Sequence, residues 1–403
     1  MKRHAEEQDE HLHKARKSEN TSSPHGRPAA FRVHPATRFE GKFPFYRQPK
    51  DIGCFSLDAD RFFYNDKSQL KWLYMPENVN KVNFNLRHGY KVFRKRDDSV
   101  KDYIDDLLRW ILVNRKKFLL PGQDEVCDGA FPPNLHTDFV CWRGLLTKLL
   151  CTPYENKDGW LIGVTKFNGT YYMCEYDTPE KIAERETMSE RQDEMCYWGY
   201  KFEQHMVAAK PDSQPDTCVP VSNYEAFCLV VRGRLKEHSL VFAGETDCYD
   251  TKEKCYVELK TSREIYQPNQ DRNFKRFKLI KWWAQSFLPA VPKVICGFRD
   301  DDGVVRQLKT YRTLDMPNIA KDIPNPWDPA VCMNFCDQFL TFVKQVVRKD
   351  DPKIVYMFKW YPRQDITWTE HPQDSKFTFL PSWFTDPDQQ GNSGSKLETS
   401  ASS

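Results

Sequence analysis

Residues 244 to 260 read Gly-Glu-Thr-Asp-Cys-Tyr-Asp-Thr-Lys-Glu-Lys-Cys-Tyr-Val-Glu-Leu-Lys, and this stretch decides how the chain is interpreted. Glu245 and Asp247 are two residues apart in a run with the character of a β-strand. Glu258 and Lys260 repeat that spacing in the next such run. Side chains two apart in a strand point to the same face of a sheet. If the two strands pair, three carboxylates and one ammonium meet on one patch.

Such a patch favours a divalent cation, because neighbouring carboxylates repel one another and their pKa values rise. Mg²⁺ and Mn²⁺ relieve the repulsion, since they prefer carboxylate oxygen, carbonyl oxygen and water as ligands. Two ions about 4 Å apart stabilise both the attacking and the leaving oxygen of a phosphodiester displacement. A lysine beside them can orient the attacking water or neutralise phosphate charge. The pattern is therefore typical of metal-dependent nucleases with a PD-(D/E)xK-type core.

The spacing by itself also fits an exposed sheet face with cross-strand ion pairs. Acid and lysine residues two apart arise by chance in a chain with 57 acidic and 60 basic residues. However, the run Leu240-Val241-Phe242-Ala243 before the acids is apolar, which predicts a buried strand. Charges in buried strands are costly unless they are paired or bound to metal. The apolar context therefore favours the nuclease interpretation.

Three further polar residues lie in largely apolar helical runs. Glu203, in an aromatic stretch, supplies a fourth carboxylate or is an ordinary charge on an amphipathic helix. Gln285 lies within residues 281–288, where the alternative is a satisfied amide of the core. Arg143 lies within residues 139–150 and either grips a phosphate bidentately or makes a structural ion pair. Both alternatives stay open for each residue at this point.

Size and charge limit the classes of protein that the chain can represent. Its 403 residues are enough for one large or two ordinary domains. The net charge is only +3, so any contact with nucleic acid must be a local patch or groove rather than a whole-surface effect. No run approaches the 18 or so apolar residues of a membrane-spanning helix.

The cysteines and the two ends of the chain bear on its location. The 13 cysteines are scattered without a CxxC pair, and Cys332 and Cys336 are predicted to be buried thiols on one helix face rather than ligands. We expect reduced thiols and no signal peptide.

Residues 1–38 and 386–403 are predicted to be disordered tails around a single catalytic α/β domain, 39–385. Basic residues at 2–3 and 14–17 resemble a bipartite nuclear import signal, or belong to a solvated tail. The predicted location is the nucleus, and reduced thiols are equally compatible with part of the protein being in the cytoplasm.

Apolar periodicity and turn residues predict alternating helices and strands without an internal repeat or a long linker. The predicted helices are Val100–Phe118, Asp138–Cys151, Pro179–Val207, Phe274–Leu288 and Pro329–Val347. The predicted strands are Ala226–Leu235, Leu240–Asp247, Cys255–Lys260 and Ile354–Trp360, with hairpins over Gly159–Tyr176, around Asn168-Gly169, and over Val294–Thr310.

Taken together, these segments resemble the decapping exoribonuclease (DXO) family, animal type. The resemblance runs from Phe43-Pro44-Phe45-Tyr46 to Phe379-Leu380-Pro381. The distinctive stretches, in this order, are Gly53–Asp58, Trp142–Gly144, Gly199–Glu203, Gly244–Cys248, Tyr256–Lys260 and Lys281–Leu288.

The resemblance implies an α/β fold of two mixed β-sheets with surrounding helices and a PD-(D/E)xK-like metal-binding core in a deep cleft. It implies Mg²⁺ or Mn²⁺, two ions by the chemistry above, held by Glu203, Glu245, Asp247, Glu258 and the carbonyl of Leu259. Those four acids, Lys260 and Gln285 would be catalytic, and Glu245, Lys260 and Gln285 would also contact substrate. The other substrate contacts would be Arg61, Asp102, Trp142, Arg143, Gly144 and Cys228. Asp102 departs from the family pattern, which has Glu there.

The function implied is quality control of RNA 5′ ends. Members of the family remove unmethylated caps and nicotinamide-dinucleotide caps, release pyrophosphate from 5′-triphosphates, and then digest RNA from 5′ to 3′. The expected partners are RNA 5′ ends, and we expect a monomer. One alternative is a non-catalytic protein that stabilises a separate nuclear 5′–3′ exoribonuclease, as some fungal relatives do. Another is a DNA exonuclease with the same metal core, because contacts to the 2′-hydroxyl cannot be read from the sequence.

Overall fold

The computed structural model describes residues 26, 28–120, 134–373 and 375–386. Its strands are β1 Ala30–Phe31, β2 Tyr46–Leu57, β3 Phe63–Tyr64, β4 Trp72–Leu73, β5 Phe84–Asn85, β6 Phe139–Trp142, β7 Trp160–Phe167, β8 Thr170–Tyr176, β9 Val207–Ala208, β10 Ala226–Leu235, β11 His238–Glu245, β12 Cys248–Asp250, β13 Cys255–Arg263, β14 Lys293–Arg299, β15 Val304–Arg312, β16 Val355–Trp360 and β17 Ile366–His371.

These strands form two mixed sheets. Over the described residues, one sheet has ten strands in the order β1-β17-β16-β7-β8-β6-β11-β10-β2-β3, and the other has seven in the order β5-β15-β14-β13-β12-β4-β9. Most neighbours are antiparallel, but β6 runs parallel to β8 and β11, β13 runs parallel to β14, and β4 runs parallel to β12. The predicted α/β class with two mixed sheets is confirmed.

The helices cover the sheets and fill the space between them. They are α1 Asp105–Val113, α2 Arg143–Cys151, α3 Pro179–Glu186, α4 Glu190–Met206, α5 Pro268–Asn273, α6 Leu279–Phe287, α7 Met316–Ile319, α8 Pro329–Val346 and α9 Ser382–Thr385. A π-helical turn, Phe274–Lys278, leads into α6. Helix α2 packs against α6 and α8 in the largest apolar core, and α4 packs on β13. Short 3₁₀ turns cover Ala36–Phe39, Tyr90–Val92, Arg115–Phe118, Thr152–Tyr154, Thr313–Asp315 and Ala320–Asp322.

Both predicted hairpins are confirmed. Strands β7 and β8 pair through Asn168 and Gly169, whose φ angles of 47° and 77° are both positive, as a type I′ turn requires. Strands β14 and β15 pair around the turn at residues 300–303. Strand β10 has the predicted bounds, and β13 continues to Arg263. Cys332 and Cys336 are buried free thiols on α8, also as predicted.

Three predicted helices differ from the structure. Residues 138–151, predicted as one helix, contain strand β6 followed by α2, because Phe139–Trp142 pairs between β8 and β11 in the buried sheet. The helix predicted over Pro179–Val207 divides into α3 and α4, and Ser189 caps the second with a capping box. Helix α1 is shorter than predicted and is followed by the 3₁₀ turn Arg115–Phe118.

The ends of the chain are partly described. Residues 28–38, which we predicted to be disordered, pack on the large sheet: β1 pairs with β17, and Val33 is fully buried. The candidate import signal lies outside the described residues, as does the C-terminal tail after residue 386. In the part that the structure describes, no helix combines the length and the apolar character needed to cross a membrane.

Candidate active site

The chain crosses from one sheet to the other between Glu245 and Asp247. Glu245 is the last residue of β11 in the ten-stranded sheet, and Asp247 directly precedes β12 in the seven-stranded sheet. The prediction that both acids lie in one strand is therefore wrong. The convergence arises because β12 pairs with β13, which carries Glu258 and Lys260.

Asp247 and Glu258 are joined through β13. The carboxylate of Asp247 accepts a hydrogen bond from the backbone N–H of Leu259 at 2.6 Å. The ammonium of Lys260 lies 2.9 Å from the carboxylate of Glu258 and 3.7 Å from that of Asp247. Because residues 258 and 260 share one face of β13, Lys260 stands between the two acids, as the two-residue spacing predicted.

Glu258 is the buried centre of the cluster, with no exposed surface. One carboxylate oxygen accepts from Arg143 at 2.6 Å, and the other accepts from Lys260 and from the amide of Gln285 at 2.8 Å. Burial would raise the pKa of Glu258, but Arg143 and Lys260 outweigh it and lower the pKa. Burial opposes the charge of Lys260 in turn, whereas Glu258 and Asp247 raise its pKa. The pair is thus held ionised, and Gln285 is a partner of the cluster rather than an isolated core amide.

Glu203 reaches the cluster from α4 because that helix packs very closely on the smaller sheet. A Cβ placed on Gly297 of β14 would lie 2.4 Å from the ring of Phe202, so only glycine permits this approach. Phe202 is fully buried, and the adjacent Glu203 faces the cavity that Glu245 and Asp247 also line. Gly297 was missed in the sequence. The signal was a glycine inside a strand, which often marks close approach of another element.

The acids raise one another's pKa values. Burial, and then the charges of Asp247 and Glu245, raise the pKa of Glu203 well above its usual range. Burial also raises the pKa of Asp247 to about 6. Glu245 is deeply surrounded by protein, yet its side chain is exposed to the cleft. Burial and then the charge of Asp247 raise the pKa of Glu245. Such repulsion is what a bound cation relieves.

The donor set fits a hard divalent cation, because it consists of carboxylate oxygens with a backbone carbonyl at Leu259 nearby. Within residues 28–120, 134–373 and 375–386, however, no three His, Cys, Asp or Glu side chains already stand at the spacing of a closed ligand shell. Glu258 in particular is turned towards Arg143, Lys260 and Gln285. The acids are gathered, and a cation would have to draw them inward and exchange some of these partners.

Arg143, the first residue of α2, lies across the end of β11. A Cβ on Gly244 would lie 2.8 Å from its Nε, so glycine at this position lets the guanidinium pass to Glu258. Arg143 is 7% exposed, and its Nε is buried without a hydrogen-bond partner in the described residues. The ion-pair alternative from the sequence is therefore present in the structure. The phosphate contact stays a prediction.

Two cavities flank the cluster. Glu203, Glu245 and Asp247 line one of about 410 Å³, which is strongly acidic. The other, of about 580 Å³, lies on the side of Trp142 and Gly144, and its charged lining includes Arg61 and Asp102. Four of the predicted substrate contacts therefore share a single cavity beside the acids.

Several of the predicted contacts also have partners within the protein. The indole N–H of Trp142 donates to the carbonyl of Tyr103 at 2.6 Å. Arg61 has a positive φ of 64° and binds Asp102 at 3.1 Å. Cys228 on β10 is buried directly opposite Glu245, and burial raises the pKa of its thiol well above the usual range. Cys228 can therefore contact a ligand as a neutral thiol but does not serve as a nucleophile.

The chain is similar to known nucleases over most of its length. The model of a family described as RAI1-like PD-(D/E)XK nucleases matches residues 47–385. Proteins called decapping and exoribonuclease protein from Homo sapiens and Bos taurus are each 44% identical to the chain, covering 89% of it and 90% of their own length. A decapping nuclease RAI1 of Neurospora crassa is 35% identical over 83% of the chain and 81% of its own length.

Solved structures agree with the sequence relatives. Candida albicans Rai1, crystallised with pU5 and Mn²⁺, superposes with a TM-score of 0.74 at 26% identity, covering 88% of the chain and 98% of its own. Scheffersomyces stipitis Rai1, crystallised with (3′-NADP)⁺ and calcium, gives 0.72 at 26% identity, covering 85% and 96%.

Proposed function

This chain belongs to the RAI1-like PD-(D/E)XK nuclease family, and from that premise we propose that it is a hydrolase of RNA 5′ ends. It removes unmethylated caps and nicotinamide-dinucleotide caps, releases pyrophosphate from 5′-triphosphates, and then digests the RNA from 5′ to 3′. The observation that carries the proposal is the meeting of Glu203, Glu245, Asp247 and Glu258 with Lys260 between two sheets.

The metal-binding residues in this proposal are the four acids and the carbonyl of Leu259. Mg²⁺ or Mn²⁺, as two ions, would supply Lewis acidity towards the scissile phosphate. The raised pKa values of Glu203 and Asp247 and the all-oxygen donor set support this choice. The Mn²⁺ and calcium of the two related crystal structures are consistent with a divalent ion.

The chain's own residues would perform the remaining steps. Lys260, held protonated by Glu258 and Asp247, donates a hydrogen bond to an oxygen of the scissile phosphate as negative charge grows there. Gln285 orients the attacking water through its amide, which also binds Glu258. Arg143 holds Glu258 in place and would contact the RNA through its guanidinium. Each reaction in the proposal is water attack at phosphorus, so one site serves them all.

The substrate would lie in the cavity beside Trp142 and Gly144. Relatives crystallised with pU5 and with (3′-NADP)⁺ support an RNA 5′ end and a dinucleotide cap as ligands. In this cavity Arg61 faces the RNA phosphates, whereas the acidic cavity repels them until a cation is bound. Asp102 and Cys228 would contact the nucleotide nearest the cleft. We also propose a nuclear location, which suits the two groups of basic residues within 2–3 and 14–17.

The partner-protein alternative is less well supported, because all four acids are present and gathered in one place. Replacing both Glu245 and Asp247 with Ala distinguishes the two. An enzyme loses turnover, whereas a stabilising partner keeps its effect on a 5′–3′ exoribonuclease.

The direct test incubates the purified protein with four RNAs of one sequence. They carry a triphosphate, an unmethylated cap, a nicotinamide-dinucleotide cap or a monophosphate, with Mg²⁺, Mn²⁺ or chelator. We expect 5′-end release or digestion that chelator stops. A parallel series with DNA addresses the DNA exonuclease alternative. No turnover with any RNA and either metal would reject the proposed function.

Glu258→Gln is the first variant that we predict. It replaces a charged oxygen with a neutral amide of nearly the same shape, so kcat should fall by about 10²-fold or more. Circular dichroism should be unchanged. The matched control is Glu253→Gln, an exposed glutamate that pairs with Lys293 at 3.0 Å and should keep full activity. Normal rates in Glu258→Gln would remove this residue from the site.

A further inference from the structure

A further cationic side chain, Arg96, lines the larger cavity. This cavity adjoins the acid cluster, because Trp142 and Gly144 line it and the intervening Arg143 reaches Glu258 at 2.6 Å. A strand of RNA whose scissile phosphate sits at Glu258 can therefore extend into the space that Arg96 borders.

Asp102 neutralises two guanidinium groups at once. It lies 3.1 Å from Arg61 and makes a second, close ion pair with Arg96. The side chains of Asp102, Arg61 and Arg96 are 36%, 23% and 24% exposed, so all three are open to whatever enters the cavity. A second carboxylate, Asp106, lies 3.5 Å from Arg61 and is itself paired with Arg109 at 2.6 Å.

The two arginines differ in how firmly they are held. Arg61 also donates to the carbonyl of Tyr224 at 3.1 Å and lies 3.5 Å from Asp106. Within the described residues, the guanidinium of Arg96 has Asp102 as its one hydrogen-bond partner. If Asp102 were displaced, Arg61 would stay in place, whereas Arg96 would be free to take another acceptor.

The backbone beneath Arg96 is fixed, so that its side chain is presented from a firm base. The N–H of Arg96 donates to the side-chain oxygen of Asn223 at 2.7 Å, and the N–H of Arg94 donates to the carbonyl of Val221 at 2.9 Å. A phosphate acceptor would therefore cost little ordering of the main chain.

Stability does not account for the pair of Arg96 and Asp102. Ion pairs that are open to solvent contribute little to folding, because both partners are well hydrated when apart. Arginine binds phosphate with two parallel charge-assisted hydrogen bonds. An entering phosphate can therefore compete for Arg96 with a carboxylate that is only weakly retained.

We propose that Arg96 is a phosphate-binding residue of the RNA cavity, and that Asp102 holds it until an RNA phosphate takes the place of the carboxylate. The inference rests on the proposed function, since it assumes that RNA enters this cavity. On this proposal, Asp102 chiefly competes with the RNA phosphate for Arg96. Arg96 is not among the substrate contacts that the family resemblance implied.

The test measures the salt dependence of RNA binding by fluorescence anisotropy in chelator, with wild type and Arg96→Met. Loss of one phosphate contact on a single strand should reduce the slope of log Kd against log salt concentration by about 0.7. Affinity at low salt should fall by about tenfold or more. The measurement is made with 5′-monophosphate RNA and with 5′-triphosphate RNA. If the slope falls for both, Arg96 binds an internal phosphate. If it falls for the triphosphate RNA alone, Arg96 binds a terminal phosphate. An unchanged slope with both RNAs would overturn the proposal.

Asp102→Asn tests the exchange itself. The amide keeps the shape and removes the charge, so both arginines become more available and RNA should bind more tightly. Weaker or unchanged binding would mean that Asp102 does not compete with RNA and would overturn the exchange. If Arg96→Met fails to fold, Arg96→Lys replaces it. That variant should keep the slope but lose affinity, because lysine lacks the bidentate fork.

Arg109→Met is the matched control. Arg109 pairs with Asp106 at 2.6 Å and lies over the ring of Trp383, and it does not line the cavity. Its slope should equal that of wild type. Binding is measured separately from turnover, so the two proposals can fail independently. Inactivity of the wild-type protein would reject the proposed function, whereas the salt slope of Arg96→Met alone decides the role of Arg96.

Discussion

At the scale of single residues, Arg143 and Glu258 form the most buried ion pair of the site, with side chains 9% and 0% exposed. Arg143→Ala leaves Glu258 with Lys260 as its one cationic partner. The stability of the protein should fall by about 3 kcal/mol, because breaking a buried pair strands a charge. KM for RNA should rise more than metal affinity changes, if the arginine also contacts phosphate. Urea unfolding and steady-state kinetics measure the two effects.

The control for Arg143 is Arg234→Ala. Arg234 forms an exposed ion pair with Glu237 at 3.5 Å, so its loss should change neither the stability nor the KM for RNA appreciably. A loss of stability in Arg143→Ala without any rise in KM for RNA would assign the arginine to structure alone.

His238 gives the protein a stability that depends on pH. This 3% exposed imidazole bonds to the carbonyl of Asp337 and the hydroxyl of Thr341, and its pKa is lowered by burial and then by Lys344. Below the unfolded pKa of about 6.5, the imidazole is protonated in the unfolded chain but stays neutral in the folded chain until the pH approaches its lower folded pKa. Stability should therefore be full above that pH and decline as the pH falls towards the folded pKa.

His238→Gln should flatten this part of the profile, because the amide keeps a polar partner for Asp337 but does not titrate. Urea unfolding at half-unit steps from pH 7.5 to 5 measures it, with a slope difference of up to about 1.4 kcal/mol per pH unit. His88→Gln, at an exposed position, is the control. Equal slopes in wild type and His238→Gln would contradict the assignment.

At the scale of elements, the approach of α4 to β14 sets the depth of Glu203 in the site. Gly297→Ala adds a Cβ 2.4 Å from the ring of Phe202 and should push the helix outward. We expect a loss of about 1–3 kcal/mol from overpacking, together with a fall in kcat. Thermal unfolding and activity on 5′-monophosphate RNA are the measurements.

Gly199→Ala is the matched control on the same helix, since a Cβ there meets nothing within 4 Å. It should stabilise the protein by about 0.5–1 kcal/mol, because alanine loses less backbone entropy in a helix. Full activity in Gly297→Ala would show that the position of α4 is not critical for the site.

At the scale of the whole molecule, the residues just before the family match belong to the core. Val33 is fully buried, and the ring of Phe31 lies 5.3–6.1 Å from the rings of Phe39, Phe335, Phe339 and Phe342. A chain that begins at residue 39 should be less stable than one that begins at residue 28 by about 3 kcal/mol or more. Equal urea midpoints and slopes for the two chains would contradict this.

Several elements were predictable because their signal is local. The hairpin at Asn168-Gly169 follows from turn chemistry, and the pairing of residues 258 and 260 on one face follows from the two-residue period of a strand. Residues 138–151 were misassigned because a four-residue buried strand and the helix after it form one continuous apolar run. Periodicity cannot separate the two without the neighbouring strands.

The sequence by itself determined the inventory of the site: which acids, which lysine and which amide occur in which order, and hence the family. Only the tertiary structure decided how they meet. Glu245 ends a strand of one sheet and Asp247 precedes a strand of the other, Arg143 reaches Glu258 across Gly244, and Arg96 and Arg61 share Asp102. The physical reason is that side-chain chemistry and short-range periodicity depend only on residues that are close together in the sequence. Contacts between elements far apart in the chain depend on how closely their backbones can pack.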